Sequence, residues 1–228
     1  MDRILRAEPG WQESVAAALR SVPRPIDVDP RIMPRDVVVD GSAVQRRPPP
    51  ADVSEVGPRQ AATLLLLYPG PDGELTIPLT VRQPDLRAHA GEVSLPGGAV
   101  DEGDASPTDA ALREAWEEIG VPRESVRLLG TLDQLWIPVS NFQLRPIIGA
   151  LEQRPQLVPH TAEVAAIVEL PARLLLADDA IVEQLISGEG WALRAGAYLH
   201  ADQVIWGATA RTLAMFATVL RRAATPDL

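Results

Sequence analysis

The sequence LPGGAVDEGDASPTDAALREAWEEIGV, at residues 95–121, combines a turn that contains two glycines with a segment that carries start and stop signals for a helix. Ser106 can cap a helix with its hydroxyl, and Pro107 suits the first helical position because that position needs no backbone N–H. Gly120 can end the helix, because glycine is the residue that most often follows a helix end. The segment therefore predicts a helix over Pro107–Ile119.

On a helical wheel this segment has one apolar side and one acidic side. The apolar side contains Leu112, Ala115, Trp116 and Ile119, and the acidic side contains Glu114, Glu117 and Glu118. Carboxylates three and four residues apart lie roughly 5–6 Å apart at Cβ, so they can share one or more hard divalent cations. A solvated acidic stripe has the same spacing, so the helix pattern leaves both interpretations open.

The whole segment resembles the Nudix box, G-x5-E-x7-R-E-U-x-E-E-x-G-U, in which U is a bulky apolar residue. The matching residues are Gly98, Arg113, Glu114, Glu117, Glu118, Gly120 and Val121. The first Glu of the box is Asp104 here, eight residues instead of seven separate it from Arg113, and the first U position is Ala115. We therefore do not expect Asp104 to be a metal ligand.

The resemblance implies an α+β protein, a Nudix-type α/β/α sandwich with a mixed β-sheet between helices, that hydrolyses a diphosphate bond with Mg²⁺ or Mn²⁺. Glu114 and Glu118 would be metal ligands, together with the backbone carbonyl of Gly97 or Gly98. Glu117 would be a ligand or the base that activates water, and a loop carboxylate such as Glu163 is the alternative base. Arg113 would orient a carboxylate or simply pair with Glu117 one turn further on.

Residues 78–98, PLTVRQPDLRAHAGEVSLPGG, resemble the motif that precedes the box in coenzyme A pyrophosphatases. The matching residues are Leu79, Thr80, Arg82, Leu86, Arg87, Gly91, Pro96, Gly97 and Gly98, whereas Pro78 and Leu95 depart from the usual Leu and Phe. A weaker likeness covers residues 205–212. The resemblance implies cleavage of coenzyme A or acyl-coenzyme A to 3′,5′-ADP and (acyl-)4′-phosphopantetheine.

Four residues follow as candidates for substrate binding. Arg82 and Arg87 can pair with phosphate through two hydrogen bonds each, and His89 and Gly98 match the same motif. Hydrolysis of ADP-ribose, a dinucleotide or a nucleoside triphosphate is the alternative activity. A Nudix-like regulator that binds a nucleotide without cutting it is a further alternative, against which the intact acidic residues argue.

Composition limits the partners of the protein. Among 228 residues, 31 acidic and 21 basic side chains give a formal net charge of −10, which disfavours nucleic acid. The absence of cysteine excludes disulfides and thiolate metal sites. No apolar run approaches the ~20 residues that a membrane span needs. We expect a cytoplasmic enzyme with a small-molecule substrate, no membrane association and a possible homodimer.

The chain divides into two predicted regions. Residues 1–57 predict a helix at 11–22 and a Pro-rich arm or linker, since eight prolines fall between Pro23 and Pro58. Residues 58–228 are the predicted Nudix hydrolase domain, with the box at about 98–121. Strands are predicted at 61–68, 74–83, 126–132, 142–151, 163–170 and 198–206, and helices at 171–177 and 208–223. We expect Trp116, Trp136 and Trp206 in the core, although Trp136 could stack on adenine from a loop.

Overall fold

A computed structural model describes residues 1–39, 42–45, 57–85, 91–188 and 190–224. The α-helices are α1 (Asp2–Leu5), α2 (Trp11–Ser21), α3 (Pro107–Ile119) and α4 (Gly207–Ala224). The strands are β1 (Arg35–Asp36), β2 (Val38–Val39), β3 (Ser42–Ala43), β4 (Arg59–Pro69), β5 (Leu75–Arg82), β6 (Val93–Ser94), β7 (Gly97–Ala99), β8 (Arg127–Thr131), β9 (Leu135–Ile137), β10 (Phe142–Ala150), β11 (Val164–Pro171), β12 (Val182–Gly188), β13 (Trp191–His200) and β14 (Gln203–Ile205). Short 3-10 turns occupy Pro30–Ile32, Arg123–Ser125, Pro138–Ser140 and Ala172–Leu176.

The central sheet has the strand order β11-β5-β4-β10-β8. Strands β4 and β10 are parallel over their whole paired length, whereas β5 is antiparallel to both β4 and β11. Strand β7 pairs with β4, β6 with β5, and β9 with β10. The predicted mixed sheet is therefore confirmed, and β4 and β5 form a hairpin within it.

Strand β4 is buried on both faces, which explains its uninterrupted apolar sequence. Side chains alternate along a strand, so Leu64 and Leu66 point to one face and Leu65 and Leu67 to the other. The first pair packs in a hydrophobic cluster with α3, and the second pair packs in a cluster with α2 and α4. All four are fully buried. The helices on the two sides of this strand complete the predicted α/β/α sandwich.

Helix α3 begins and ends where the sequence predicts. The Ser106 hydroxyl accepts a hydrogen bond from the backbone N–H of Asp109 at 3.2 Å. Gly120 follows the last residue with a φ of 74°, the left-handed conformation that glycine adopts at low cost. Both signals are local in the chain, so the bounds of α3 do not depend on the tertiary structure.

The opposite face of the sheet is covered by α4 and by the N-terminal helix α2. Trp11, Val15 and Leu19 of α2 belong to the same hydrophobic cluster as Leu213 and Phe216 of α4. Side chains from both sides of the predicted boundary at residue 57 thus share one core. The division of the chain into an arm and a catalytic domain stays a prediction.

Three expectations about single elements are wrong. The predicted strand at 198–206 is a hairpin of β13 and β14, because Ala201 and Asp202 turn the chain with φ values of 49° and 60°. Trp116 and Trp136 lie outside the core, with 54% and 55% of their surface exposed. On α3 the buried arc is centred near Ala115 and includes Glu118, so Trp116 falls beyond its edge.

No helix in the described ranges is long and apolar enough to cross a membrane.

The two tryptophans on α2 and α3 provide a test of this packing. We expect Trp11→Ala to lower the free energy of unfolding by about 3–5 kcal/mol, because Trp11 is 6% exposed in the core. Trp116→Ala is the matched control and should change it by less than about 0.5 kcal/mol. Urea unfolding followed by circular dichroism measures both values. Equal losses for the two variants would contradict the described packing.

Candidate active site

Arg113 joins the loop before α3 to the acidic side of the helix. Its Nε and Nη2 atoms donate to the Asp104 carboxylate at 3.1 and 3.0 Å, and Nη2 also donates to the Ala99 carbonyl at 3.1 Å. Its Nη1 atom donates to Glu114 at 2.8 Å and to Glu117 at 3.0 Å. One guanidinium therefore fixes the positions of three carboxylates.

Asp104 is the partner of Arg113 through both carboxylate oxygens, and only 5% of its side chain is exposed. Hydrogen bonds from Arg113 hold the pKa of Asp104 below its ordinary value. The extra residue between Asp104 and Arg113 is accommodated in the loop, because the ion pair forms across it. The expectation that Asp104 is not a ligand stays a prediction.

Glu118 is the most deeply buried acid of the site, because only 4% of its surface is exposed. Its Oε2 atom accepts a hydrogen bond from the backbone N–H of Gly97 at 3.3 Å. The pKa of Glu118 is raised to about 8, mainly by burial and also by the nearby charges of Glu114 and Glu163. The hydrogen bond from Gly97 and the charge of Arg82 act in the opposite direction. A buried carboxylate of this kind calls for a positive charge beside it.

The two glycines of strand β7 let the backbone approach these acids. A Cβ atom at Gly98 would overlap the Glu114 carboxylate, and one at Gly97 would overlap the Ala62 carbonyl and Thr63. Pairing of β7 with β4 holds both glycines in place. A side chain at Gly98 would displace the Glu114 carboxylate or the loop, and one at Gly97 would disturb the pairing of β7 with β4.

Glu114 and Glu117 differ in their surroundings. Burial raises the pKa of Glu114, while its hydrogen bond from Arg113 lowers it, and 16% of its side chain is exposed. The Glu117 side chain is 52% exposed and reaches Arg113 from the solvent side. The helix thus presents one buried, one partly buried and one accessible carboxylate.

Two further charged residues reach this helix from neighbouring strands. Arg82 ends β5 and lies opposite Val164, so Glu163 comes next to it by register. Arg82 lowers the pKa of Glu118, whereas Glu163 raises the pKa of both Glu114 and Glu118. Glu163 is exposed, and its backbone carbonyl accepts a hydrogen bond from Gln83 at 2.9 Å.

Two buried polar atoms near these residues have no hydrogen-bond partner among the described residues. They are the Nε atom of Arg82 and the Oγ1 atom of Thr63, which lies across from Gly97 in the β4–β7 pair. Thr63 has no functional signal in the sequence, because a threonine in a buried strand is ordinary. The candidates Arg87 and His89 lie outside the described residues.

The carboxylate oxygens of this site are chemically suitable ligands for a hard divalent cation. Oxygen ligands from several acids are what Mg²⁺ and Mn²⁺ bind, and a cation beside Glu118 would stabilise its ionised form. Within the described ranges no three acidic or histidine side chains are grouped closely enough to hold a metal ion. Arg113 donates hydrogen bonds to the carboxylates of Glu114 and Glu117.

The mixed sheet between helices, with a glycine loop against an acidic helix, defines an α+β protein. Comparison with known proteins identifies the class further. The chain belongs to the Nudix family, because the model of the NUDIX domain matches residues 58–191. Nudix hydrolases act on small molecules that contain a nucleotide diphosphate, and they generally use divalent metal ions such as Mg²⁺ or Mn²⁺.

The region that aligns with this chain spans a different share of each curated relative. An uncharacterized Nudix hydrolase NudL of Pectobacterium atrosepticum is 38% identical over 154 residues, which is 67% of this chain and 78% of that protein. Nudix hydrolase 22, chloroplastic, of Arabidopsis thaliana is 37% identical over 72% of this chain, but the match spans 56% of that protein. The crystal structure of RenU, a Nudix hydrolase from M. smegmatis, superposes with a TM-score of 0.50 at 22% identity over 76% of this chain and 90% of that one. This last likeness supports the fold.

The raised pKa of Glu118 predicts a stability difference that depends on pH. Its folded-state pKa of about 8 exceeds the ordinary 4.5, so its contribution to stability is full below pH 4.5 and is lost as the pH rises toward 8. In metal-free buffer at pH 8.5 to 9 we expect Glu118→Gln to be more stable than the unmodified protein by at least ~1 kcal/mol, or roughly 2–4 °C in Tm.

Glu117→Gln is the matched control, because Glu117 is exposed and lies one residue away. Its Tm should show no such gain with rising pH. Thermal unfolding at a series of pH values measures all three proteins. If the difference in Tm between Glu118→Gln and the unmodified protein stays constant across that series, Glu118 is not a buried carboxyl with a raised pKa.

Proposed function

We propose that this Nudix hydrolase cleaves the diphosphate bond of coenzyme A or acyl-coenzyme A, giving 3′,5′-ADP and 4′-phosphopantetheine or its acyl form. The main support for the proposal is the position of Arg82. It belongs to the segment that resembles coenzyme A pyrophosphatases, its charge acts on Glu118, and its buried Nε lacks a partner in the described part of the chain. Guanidinium groups pair strongly with phosphate oxygens, so Arg82 is suited to hold the diphosphate beside the acids.

The acids and the glycine loop have complementary roles in the proposal. Glu114, Glu118 and the Gly97 carbonyl would hold Mg²⁺ or Mn²⁺, with Glu117 as a further ligand or as the base. When bound, the ion offsets phosphate charge and acidifies a coordinated water. Arg113 keeps the carboxylates of Glu114 and Glu117 aligned before substrate arrives.

The remaining candidates would bind substrate. Arg82 and Arg87 would pair with the diphosphate and the 3′-phosphate, and His89 would donate a hydrogen bond to one of these groups. Gly98 keeps the loop thin enough for the phosphates to approach α3. We further propose a cytoplasmic location and a homodimer, with no nucleic-acid partner because the net charge is −10.

Two carboxylates can act as the base that deprotonates the attacking water. Glu117 is on α3 and is exposed, whereas Glu163 lies in the loop just before β11. If Glu114, Glu117 and Glu118 all hold metal, Glu163 is the acid left to face the water. If Glu117 is not a ligand, it can perform the same step from the helix.

The proposed substrate is tested by product analysis. Purified protein with Mg²⁺ or Mn²⁺ is incubated with coenzyme A, acetyl-coenzyme A, ADP-ribose and nucleoside triphosphates, and 3′,5′-ADP is quantified by chromatography. We expect 3′,5′-ADP from the first two substrates, and a ten- to hundredfold (~1.5–3 kcal/mol) loss of kcat/KM in Arg82→Ala because a charged hydrogen bond is removed. Arg20→Ala, an exposed change on α2, should retain full activity. Turnover of ADP-ribose or a triphosphate without 3′,5′-ADP from coenzyme A would refute the substrate.

The identity of the base is tested by a matched pair of variants. A base lost by substitution lowers kcat by about 10²–10⁴-fold and leaves the metal requirement unchanged. A lost metal ligand instead raises the metal concentration that gives half-maximal rate. If Glu163 is the base, Glu163→Gln should lower kcat and Glu117→Gln should raise the metal requirement. If Glu117 is the base, Glu117→Gln should lower kcat and Glu163→Gln should change neither quantity. Full activity in both variants would remove both carboxylates from the mechanism.

A further inference from the structure

Gln83 connects the end of β5 to the loop that precedes β11. Its side-chain Nε2 donates to the carbonyl of Thr161 at 2.8 Å, and its backbone N–H donates to the carbonyl of Glu163 at 2.9 Å. One residue therefore holds two points of a short segment that lies far away in the chain. Gln83 is not among the residues that match the coenzyme A pyrophosphatase motif, so the resemblance gives it no role.

The segment that Gln83 holds is a tight turn, which is also bonded to the acidic helix. The carbonyl of His160 accepts hydrogen bonds from the backbone N–H of Glu163 at 3.0 Å and of Val164 at 2.9 Å. The N–H of His160 donates to the carbonyl of Glu118 at 3.0 Å. The turn is therefore fixed to α3 at its first residue and to Gln83 near its end.

Glu163 is the acid that this turn places near α3, where its charge acts on Glu114 and Glu118. In the described part of the chain, no side chain forms a hydrogen bond or an ion pair with the Glu163 carboxylate. A register shift in the β5–β11 pair falls between Val164 and Ala166, directly after Glu163. Such bulges bend a strand and redirect the side chains beside them. The backbone of the turn therefore decides where the Glu163 carboxylate lies.

The position of Gln83 is fixed by its own neighbours in the chain. Pro84 restricts Gln83 to an extended backbone, because the proline ring disfavours a helical residue before it. Arg82, the last residue of β5, donates its N–H to the carbonyl of Glu92 at 3.1 Å and accepts a hydrogen bond from the N–H of Gly91 at 3.3 Å. Gln83 thus joins the strand end that carries Arg82 to the turn that carries Glu163.

We propose that Gln83 is a positioning residue for hydrolysis, because its hydrogen bonds hold the turn that directs Glu163 toward the attacking water. The inference rests on the proposed role of Glu163 as the base. Without the side-chain hydrogen bond, the turn stays attached to α3 through His160 and to Gln83 through the backbone alone. Glu163 then stays in the site but is less well oriented, and poor orientation of a reacting group slows the chemical step. Substrate binding by Arg82 is unaffected.

The test is a double-mutant cycle between Gln83→Met and Glu163→Gln. Met is close to Gln in length but has no amide donor. We expect Gln83→Met to lower kcat about three- to tenfold, the loss of one hydrogen bond, and to leave KM and the metal requirement unchanged. In the Glu163→Gln background the same substitution should lower kcat by less than about twofold, because its effect passes through that carboxylate.

Rates are measured with Mg²⁺ on the substrate of the panel above that the unmodified protein cleaves fastest, so the result does not depend on coenzyme A. Gln143→Met is the matched control, since the Gln143 amide contacts the Gln134 amide at 2.9 Å and not the turn. It should keep the kcat of the unmodified protein. Gln83→Glu is a second variant, which places a carboxylate against the Thr161 carbonyl and should lower kcat at least as much as Gln83→Met. Thermal unfolding shows whether each variant is folded.

The possible failures differ from one another. Unchanged kcat in Gln83→Met beside a large loss in Glu163→Gln would refute the positioning role and leave Glu163 as the base. Additive losses in the double variant would also refute it, because Gln83 would then act through another group. A raised KM with unchanged kcat would assign Gln83 to substrate binding beside Arg82 instead. Full activity in Glu163→Gln would refute the proposed role of Glu163 and the positioning role with it.

Discussion

The close approach of the backbone at Gly97 and Gly98 to the acids of α3 is the constraint on which the site depends. Strand β7 pairs with β4, whose central residues are fully buried, so the loop has a fixed position on the sheet. Helix α3 packs its apolar side on that same strand. The distance between loop and helix then leaves space for the Glu114 and Glu118 carboxylates and for no Cβ atom between them.

This arrangement has a cost in stability that only function explains. A carboxyl as buried as that of Glu118 is easier to keep protonated than ionised, and its neighbours Glu114 and Glu163 are also acidic. An apolar residue there would pack without penalty. Arg113 compensates the more accessible acids through its hydrogen bonds, but it does not reach Glu118. The remaining imbalance is the property expected of a cation site.

The loop between β10 and β11 brings a further acid to the helix and is held by several contacts along its length. Arg154 pairs with Glu169 at 2.6 Å, and Glu169 also accepts a hydrogen bond from the fully buried Tyr68 at 2.8 Å. Further along, the backbone N–H of His160 donates to the carbonyl of Glu118 at 3.0 Å. Burial and the charge of Glu169 keep the pKa of Tyr68 raised, so this hydroxyl stays a donor. The loop is therefore fixed to the core before it reaches Glu163.

The sequence by itself determined α3 with its bounds, the buried strand β4, the mixed sheet and the family, because caps, alternation and the spacing of the box are local patterns. It could not decide which side of α3 is buried. That depends on where the sheet lies, and the small Ala115 allows the helix to turn Glu118 inward and Trp116 outward. Nor could it place Glu163 beside α3, since their neighbourhood follows from the register of β5 with β11 and from a loop fastened at distant residues. Such contacts join residues far apart in the chain, so only the tertiary structure decides them.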